Sequence, residues 1–322
     1  QCVQRQFEYE SFVCVCDATF CDEVGVVAPP AAGTYSVYTS SRDQFRLEPS
    51  FGSVEDAPSG TASIAVSTAS RYQSMIGFGG AFTDSTGLNF NKLPAQAQEF
   101  AIRAYFAPEG IGYNIGRIPI AGSDCSTRPY SYDDHEGDIA LELWALEPED
   151  YDYKSLEDPD SNKYVDGVAV HWYSDTGVGP QVLDQAHEVD PSKFLLYTEA
   201  CEGYNVEGAL SVMLGSWTRG EHYFDNIIED LNHWSGGWVD WNMALDITGG
   251  PNWANNLLDS PIIVNEATGE FYKQPTFYAM AHASKFIERD GVRVDAIPDN
   301  GGLRSTAVIN PDGTIVVLVL NK

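Results

Sequence analysis

Two kinds of hydrophobic rhythm divide the chain. Residues 34–40 and 61–68 are short, rich in Val, Tyr and Thr, and alternate, which is the period of half-buried antiparallel strands. Near the other end, β-branched runs at 306–309 and 315–320 flank Asn310-Pro-Asp-Gly313, a turn sequence that predicts a hairpin. The two ends are expected to pair into one small β domain. Between them, short apolar runs at 74–80, 112–120, 165–172, 193–199 and 237–245 alternate with helical stretches, the pattern of parallel βα units. Helices predicted over 94–105 and 275–287 each open on proline, which fits a first helical turn. Residues 130–163 break this rhythm. They are rich in Tyr, Asp, Glu and Pro without clear periodicity, and they are long for a connection inside a compact domain.

Composition narrows the class. The 322 residues are 43% hydrophobic and contain no apolar run of the ~18 residues a transmembrane helix needs, so a soluble globular chain is expected. Lys and Arg total 18 against 47 Asp and Glu, a net charge of −29, which repels phosphate backbones and argues against nucleic acid as a partner. The same charge disfavours adsorption to anionic lipid at neutral pH, a repulsion that an acidic compartment would relax.

Four of the six cysteines, Cys2, Cys14, Cys16 and Cys21, crowd the first 21 residues, a density suited to two local disulfides in an oxidising compartment. A zinc knuckle is the rival reading, weakened by the absence of His from the segment and by the Cys-x-Cys spacing. Cys125 and Cys201 stand apart and are expected to be free thiols. No charged stretch followed by an apolar one opens the chain, so any signal peptide is expected to precede Gln1, and no Asn-x-Ser/Thr acceptor occurs.

The usual short catalytic motifs are missing: no Gly-x-Gly-x-x-Gly after a strand, no P-loop, no His-Glu-x-x-His and no Gly-x-Ser-x-Gly. What remains is a set of carboxylates and rings at the C-terminal ends of the βα strands, where an α/β barrel assembles its active site. Leu195-Leu-Tyr-Thr-Glu199 ends on a carboxylate, Val168-Ala-Val-His-Trp-Tyr173 on three rings, and Trp238-Val-Asp-Trp-Asn242 on two more polar or aromatic groups; Arg117 lies in the 112–120 strand with Asp124 just beyond. Glycoside hydrolysis needs this mixture, since a carboxylate attacks or protonates while aromatic faces and polar groups hold the sugar. A solvated strand-end Glu and Trp residues packed in a core would produce the same pattern without any activity.

At these residues the chain resembles acid β-glucosidase, the lysosomal glucosylceramidase family of retaining barrel glycosidases. The likeness is carried by Gly77-Phe-Gly-Gly-Ala-Phe-Thr-Asp84, Val168-Ala-Val-His-Trp-Tyr173, Gly249-Gly-Pro-Asn-Trp253, Asp259-Ser-Pro-Ile-Ile-Val264 and Phe271-Tyr-Lys-Gln-Pro275, and it runs from Cys2 to Lys322 with one break. The resemblance implies a TIM (β/α)8 barrel plus a small β-sandwich built from both chain ends, with disulfides Cys2–Cys14 and Cys16–Cys21. It implies Glu199 as nucleophile, with Asp124, Trp241, Asn256, Tyr173 and Arg117 around the sugar, and no metal or organic cofactor. Asp17 departs from the family, standing where a glycosylated Asn is common.

The larger departure is the break itself. Relatives carry barrel strands three to five between the segments matching Lys154 and Asp158, including an Asn-Glu-Pro whose Glu is the acid/base, and no Asn-Glu-Pro occurs here. Asn265-Glu-Ala lies in the wrong element to replace it. The barrel is therefore expected to be incomplete, with about five strands, because 74–245 falls short of the ~200–250 residues eight strands take. Strands two and six should become edges or close a much smaller ring, exposing Val and Ile. The expected division is a disulfide-rich segment 1–30, a sandwich from 31–73 and 288–322, and a truncated barrel 74–287 with its junction near 154–158.

By resemblance the substrate is glucosylceramide or another β-glucoside, in sphingolipid metabolism, in the lysosomal lumen or outside the cell, with an activator protein and an acidic membrane surface as possible partners. Lacking the acid/base, this form should be inactive or severely impaired. The alternatives are a non-catalytic glycolipid-binding or regulatory variant, or an incomplete gene product.

Overall fold

The computed structural model describes the chain except residues 1, 56–59, 61, 133, 137–141, 143, 144, 146, 150–166, 176, 205–210 and 300. The junction expected near 154–158 lies outside the described residues. The chain opens with hairpins β1 (Val3–Gln6) to β2 (Phe12–Cys16) and β3 (Thr34–Thr39) to β4 (Glu48–Ser53), then the long strand β5 (Ile64–Ser74). Strand β6 (Gly77–Ala81) leads into α1 (Asp84–Lys92), α2 (Ala95–Phe106) and β7 (Ile115–Arg117). Beyond the undescribed stretch come β8 (Gly167–His171), α3 (Gln181–Val189), β9 (Phe194–Glu199), α4 (Trp217–Asn232) and β10 (Ser235–Asn242). The rest is β11 (Ala244–Asp246), β12 (Ile262–Asn265), β13 (Glu270–Lys273), α5 (Pro275–Ser284), β14 (Val292–Pro298), β15 (Leu303–Ile309) and β16 (Ile315–Asn321).

The site rests on a parallel sheet in the order β7-β6-β10-β9-β8. β10 is its centre, and all eight of its residues are buried, the small Ser235, Gly236 and Gly237 as well as Trp238, Val239 and Trp241, so it shows no in-and-out alternation. Gly79 allows β6 to lie against β7, since a Cβ there would stand 1.9 Å from the Ile115 carbonyl oxygen. Helix α4 lays Tyr223, Phe224, Ile227, Ile228 and Leu231 toward the core, and α5 is buried along nearly its whole length. Among the described residues β7 and β8 are the two sheet edges and do not pair with each other. Val168 on β8 is accordingly 48% exposed.

The ends of the chain differ from the expected division. Residues 1–30 contribute β1 and β2 to a sheet β1-β2-β13-β12-β11, in which β2 pairs with β13 from the 74–287 stretch. From the 31–73 block only β5 joins the four-stranded sheet β16-β15-β14-β5, while β3 and β4 pair with one another as a free-standing two-stranded sheet. The terminal hairpin forms as its turn sequence predicts, with Gly313 at φ 88° and Asp312 Oδ1 accepting from the Thr314 amide at 2.8 Å. Cys2 is bonded to Cys14 and Cys16 to Cys21, and Cys125 and Cys201 are free and buried.

Candidate active site

Glu199 is the last residue of β9, so its side chain emerges at the C-terminal end of the sheet. Two neighbouring strands aim groups at it. Arg117, the last residue of β7, pairs with Glu199 Oε2 and donates to the Thr198 carbonyl at 3.1 Å. Tyr173 follows β8 in a short 3₁₀ turn, and its hydroxyl donates to Glu199 Oε1 at 3.0 Å while standing 3.3 Å from Cys201 Sγ. Burial pushes the Tyr173 phenol far above its ordinary pKa, so it remains a neutral donor. The Glu199 side chain is 14% exposed, reachable from solvent yet largely enclosed.

Trp241, near the end of β10, lies under the Arg117 guanidinium, 4.7 Å from ring centroid to carbon, so the cation is held from below by a ring and from the side by a carboxylate. A second cluster stands beside the first. Asp124 Oδ2 accepts from Asn256 Nδ2 at 2.9 Å and from Asn252 Nδ2 at 3.3 Å, and Oδ1 accepts from the Cys125 amide at 2.9 Å. The clusters are joined through Asn242, the neighbour of Trp241, which donates to Cys125 Sγ at 3.2 Å and accepts from the Thr83 hydroxyl at 2.6 Å. Burial holds the Cys125 thiol up at about 12 and the Cys201 thiol well above its usual value, so neither is a thiolate nucleophile.

Of the residues singled out in the sequence, Arg117 and Tyr173 contact Glu199, Trp241 contacts it through Arg117, and Asp124 and Asn256 bond to each other rather than to it. Sequence reasoning missed three contributors. Asn252 completes the Asp124 cluster and stood in the quoted Gly-Gly-Pro-Asn-Trp run; Trp253, beside it, is 49% exposed with its indole N–H donating to the Ser123 carbonyl at 2.7 Å. His171, the last residue of β8, lies with Nδ1 3.8 Å from Glu199 Oε1, and its position at a strand end was the available signal.

Comparison with known proteins now decides the family. The model of the glycosyl hydrolase family 30 TIM-barrel domain matches residues 75–155 and 155–287, and that of the family 30 beta sandwich domain matches 290–322. The chain belongs to glycosyl hydrolase family 30. Putative glucosylceramidase 3 of Caenorhabditis elegans is 32% identical over an alignment covering 100% of this chain and 89% of the relative. Lysosomal acid glucosylceramidase of Mus musculus is 30% identical with the same coverage of both chains. The first alignment spans 465 positions against a chain of 322 residues, so long stretches of the relative face no residue here. Among solved structures, SrfJ from Salmonella typhimurium superposes with a TM-score of 0.77 over 89% of this chain and 92% of that one, and the endo-beta1,6-glucanase BT3312 with 0.74 over 90% and 92%. Both are 18% identical and speak for the family 30 fold alone. The barrel-domain match falls in two pieces that meet at residue 155.

Proposed function

We propose that this chain carries the nucleophile half of a retaining β-glucosidase that acts on glucosylceramide or a related β-glucoside, and that in this form it is severely impaired. The observation that carries the reading is the setting of Glu199: a carboxylate at the end of β9, aligned by Arg117 on one oxygen and Tyr173 on the other. Among the described residues its polar partners are Arg117, Tyr173 and His171, and none is a carboxyl. In the reaction proposed, one Glu199 oxygen attacks the anomeric carbon while Tyr173 and Arg117 hold the carboxylate plane. Asp124, with Asn256 and Asn252, offers acceptors and amides for sugar hydroxyls, and Trp241 walls the site.

A retaining hydrolase places two carboxyls ~5–5.5 Å apart, one attacking and one protonating the leaving oxygen. The two-piece match at residue 155 and the absence of Asn-Glu-Pro support the loss of the second. Loss of general acid/base assistance costs ~10²–10⁴-fold, most severely for a poor leaving group such as an alkyl alcohol. The mouse and nematode relatives, named as glucosylceramidases, support a β-glucoside substrate and, through the mouse lysosomal protein, a lysosomal setting with a place in sphingolipid turnover. An activator protein and an acidic membrane surface belong to the same proposal.

The test is hydrolysis of 2,4-dinitrophenyl β-D-glucoside, whose leaving group departs without a proton, beside hydrolysis of glucosylceramide. The reading expects turnover of the former with retention of configuration, its loss in Glu199→Gln, and little turnover of the latter. Undiminished dinitrophenyl glucoside hydrolysis by Glu199→Gln, or inversion, would overturn it.

A further inference from the structure

We infer that His171 is the residual proton donor of this site, giving its proton to the departing glycosidic oxygen as Glu199 attacks. The inference rests on the reading of Glu199 as nucleophile and goes beyond it in naming the group that stands in for the missing carboxyl. Three observations carry it.

First, position: His171 Nδ1 lies 3.8 Å from Glu199 Oε1. In a reactive complex the attacking oxygen comes within ~3–3.5 Å of the anomeric carbon, and the leaving oxygen is one bond farther. Because attack is in line, the leaving oxygen lies on the far face of C1, and the attacking and protonating groups of a retaining site stand ~5–5.5 Å apart, so the His171 ring must swing outward from its 3.8 Å position beside Glu199 to serve that oxygen.

Second, access: β8 is a sheet edge among the described residues, and the His171 side chain is 41% exposed there. The imidazole can exchange protons with solvent, as a donor that must be recharged every cycle requires. Its ring meets Tyr173 edge-on at 6.1 Å between centroids, which steadies it beside the site without enclosing it.

Third, the neighbouring candidates are engaged. Both oxygens of Asp124 accept hydrogen bonds from Cys125, Asn252 and Asn256. Tyr173 and the two buried thiols hold their protons too tightly to give them up. Among the described residues, the titratable and charged groups facing His171 are Glu199 on β9 and Tyr173 on its own segment, with Arg117 on β7 and Cys201 past β9 reached through those two.

The step balances. A Glu199 oxygen forms a bond to C1 as the C1–O bond to the aglycone breaks, and the imidazolium proton passes to that oxygen to release a neutral alcohol. Water then attacks C1 of the glucosyl ester, its proton returns to the imidazole, and the Glu199 carboxylate is released. The net change is glycoside plus water to glucose plus alcohol.

The experiment compares kcat/KM for aryl β-D-glucosides ranging from 2,4-dinitrophenyl to phenyl, in the wild-type chain, His171→Ala and Glu199→Gln. Because kcat/KM reports the step that expels the phenol, the inference expects His171→Ala to lose on the order of 10²-fold on the phenyl glucoside. It expects the loss on the dinitrophenyl glucoside to be at least about tenfold smaller, with far-UV circular dichroism and a cooperative urea melt showing that the variant is folded. Equal losses on both substrates, or none on either, overturn the inference and leave the role of Glu199 standing. Unchanged dinitrophenyl glucoside turnover in Glu199→Gln overturns the reading beneath it instead.

Discussion

Replacing Asp240 by Asn should stabilise this protein at neutral pH and leave it unchanged in acid. Asp240 sits on the central strand β10 and is 1% exposed. Its Oδ1 accepts from the Tyr223 hydroxyl and the Trp241 amide, each at 2.9 Å, while Oδ2 has no partner. Burial holds this carboxyl well above the usual carboxylate range, outweighing those two hydrogen bonds, and the charges of Asp259 and Glu202 push the same way. A carboxyl whose folded pKa is raised contributes its full stability below its unfolded value near pH 4. That contribution is lost as pH rises through the folded pKa. Asn keeps the Oδ1 acceptor, has the same shape and never ionises. An unsatisfied buried polar group costs ~1–3 kcal/mol and an ionised one more, so Asp240→Asn should be more stable by at least ~1 kcal/mol at about pH 7. Below about pH 3, where Asp240 is protonated in both states, the two proteins should coincide. Urea titrations across that range read the difference from the midpoints at a common slope. A difference that does not grow with pH, or an Asn variant that is weaker at neutral pH, would refute the assignment.

Other perturbations test other parts of the structure. Arg219→Met leaves the buried Asp259 carboxylate, which Gln274 and the Ser260 and Met213 amides also hold, without its cation, and should cost ~3–5 kcal/mol in urea unfolding. His282, buried beside Ser40 Oγ at 2.8 Å, is pushed down to about 4 by burial. Its stabilising contribution is complete above the ordinary imidazole pKa and lost as pH falls toward 4, so His282→Gln should flatten that acid-side loss in thermal melts. Tyr173→Phe removes the donor to Glu199 Oε1 and should lower kcat/KM for dinitrophenyl glucoside about tenfold, and an unchanged value would remove Tyr173 from the site. Replacing Cys16 and Cys21 by Ser should cost ~2–5 kcal/mol, read by thermal melts of the oxidised protein.

The sequence carried the barrel strands and less of their surroundings. β9 was legible as a short apolar run, Phe194-Leu-Leu-Tyr, ending in Thr198 and Glu199, and β10 as a Trp- and Val-bearing stretch ending in Asn242. β7 was expected over 112–120 but spans three residues, since Gly112 takes φ 76° and the chain turns away after Arg117. Helix α1 was missed because its core-facing residues include Asp84, Ser85, Thr86 and Asn89, polar groups hidden by hydrogen bonding rather than by an apolar stripe. Strands β12 and β13 are short, and β13 pairs with β2, a partner far along the chain that local pattern cannot supply. Within the site, strand-end position pointed to Glu199, whereas Arg117 was expected inside a longer strand and is the last residue of β7. The link from Asp124 to Asn252 spans 128 residues and is a product of the fold.

The most direct measurement is trapping of the covalent intermediate. Incubation with 2,4-dinitrophenyl 2-deoxy-2-fluoro-β-D-glucoside, followed by intact mass and peptide mapping, should show one fluoroglucosyl group per chain, on Glu199, and none on Glu199→Gln. No adduct on the wild-type chain, or an adduct mapped to another residue, would contradict the central claim that this shortened family 30 chain retains its nucleophile.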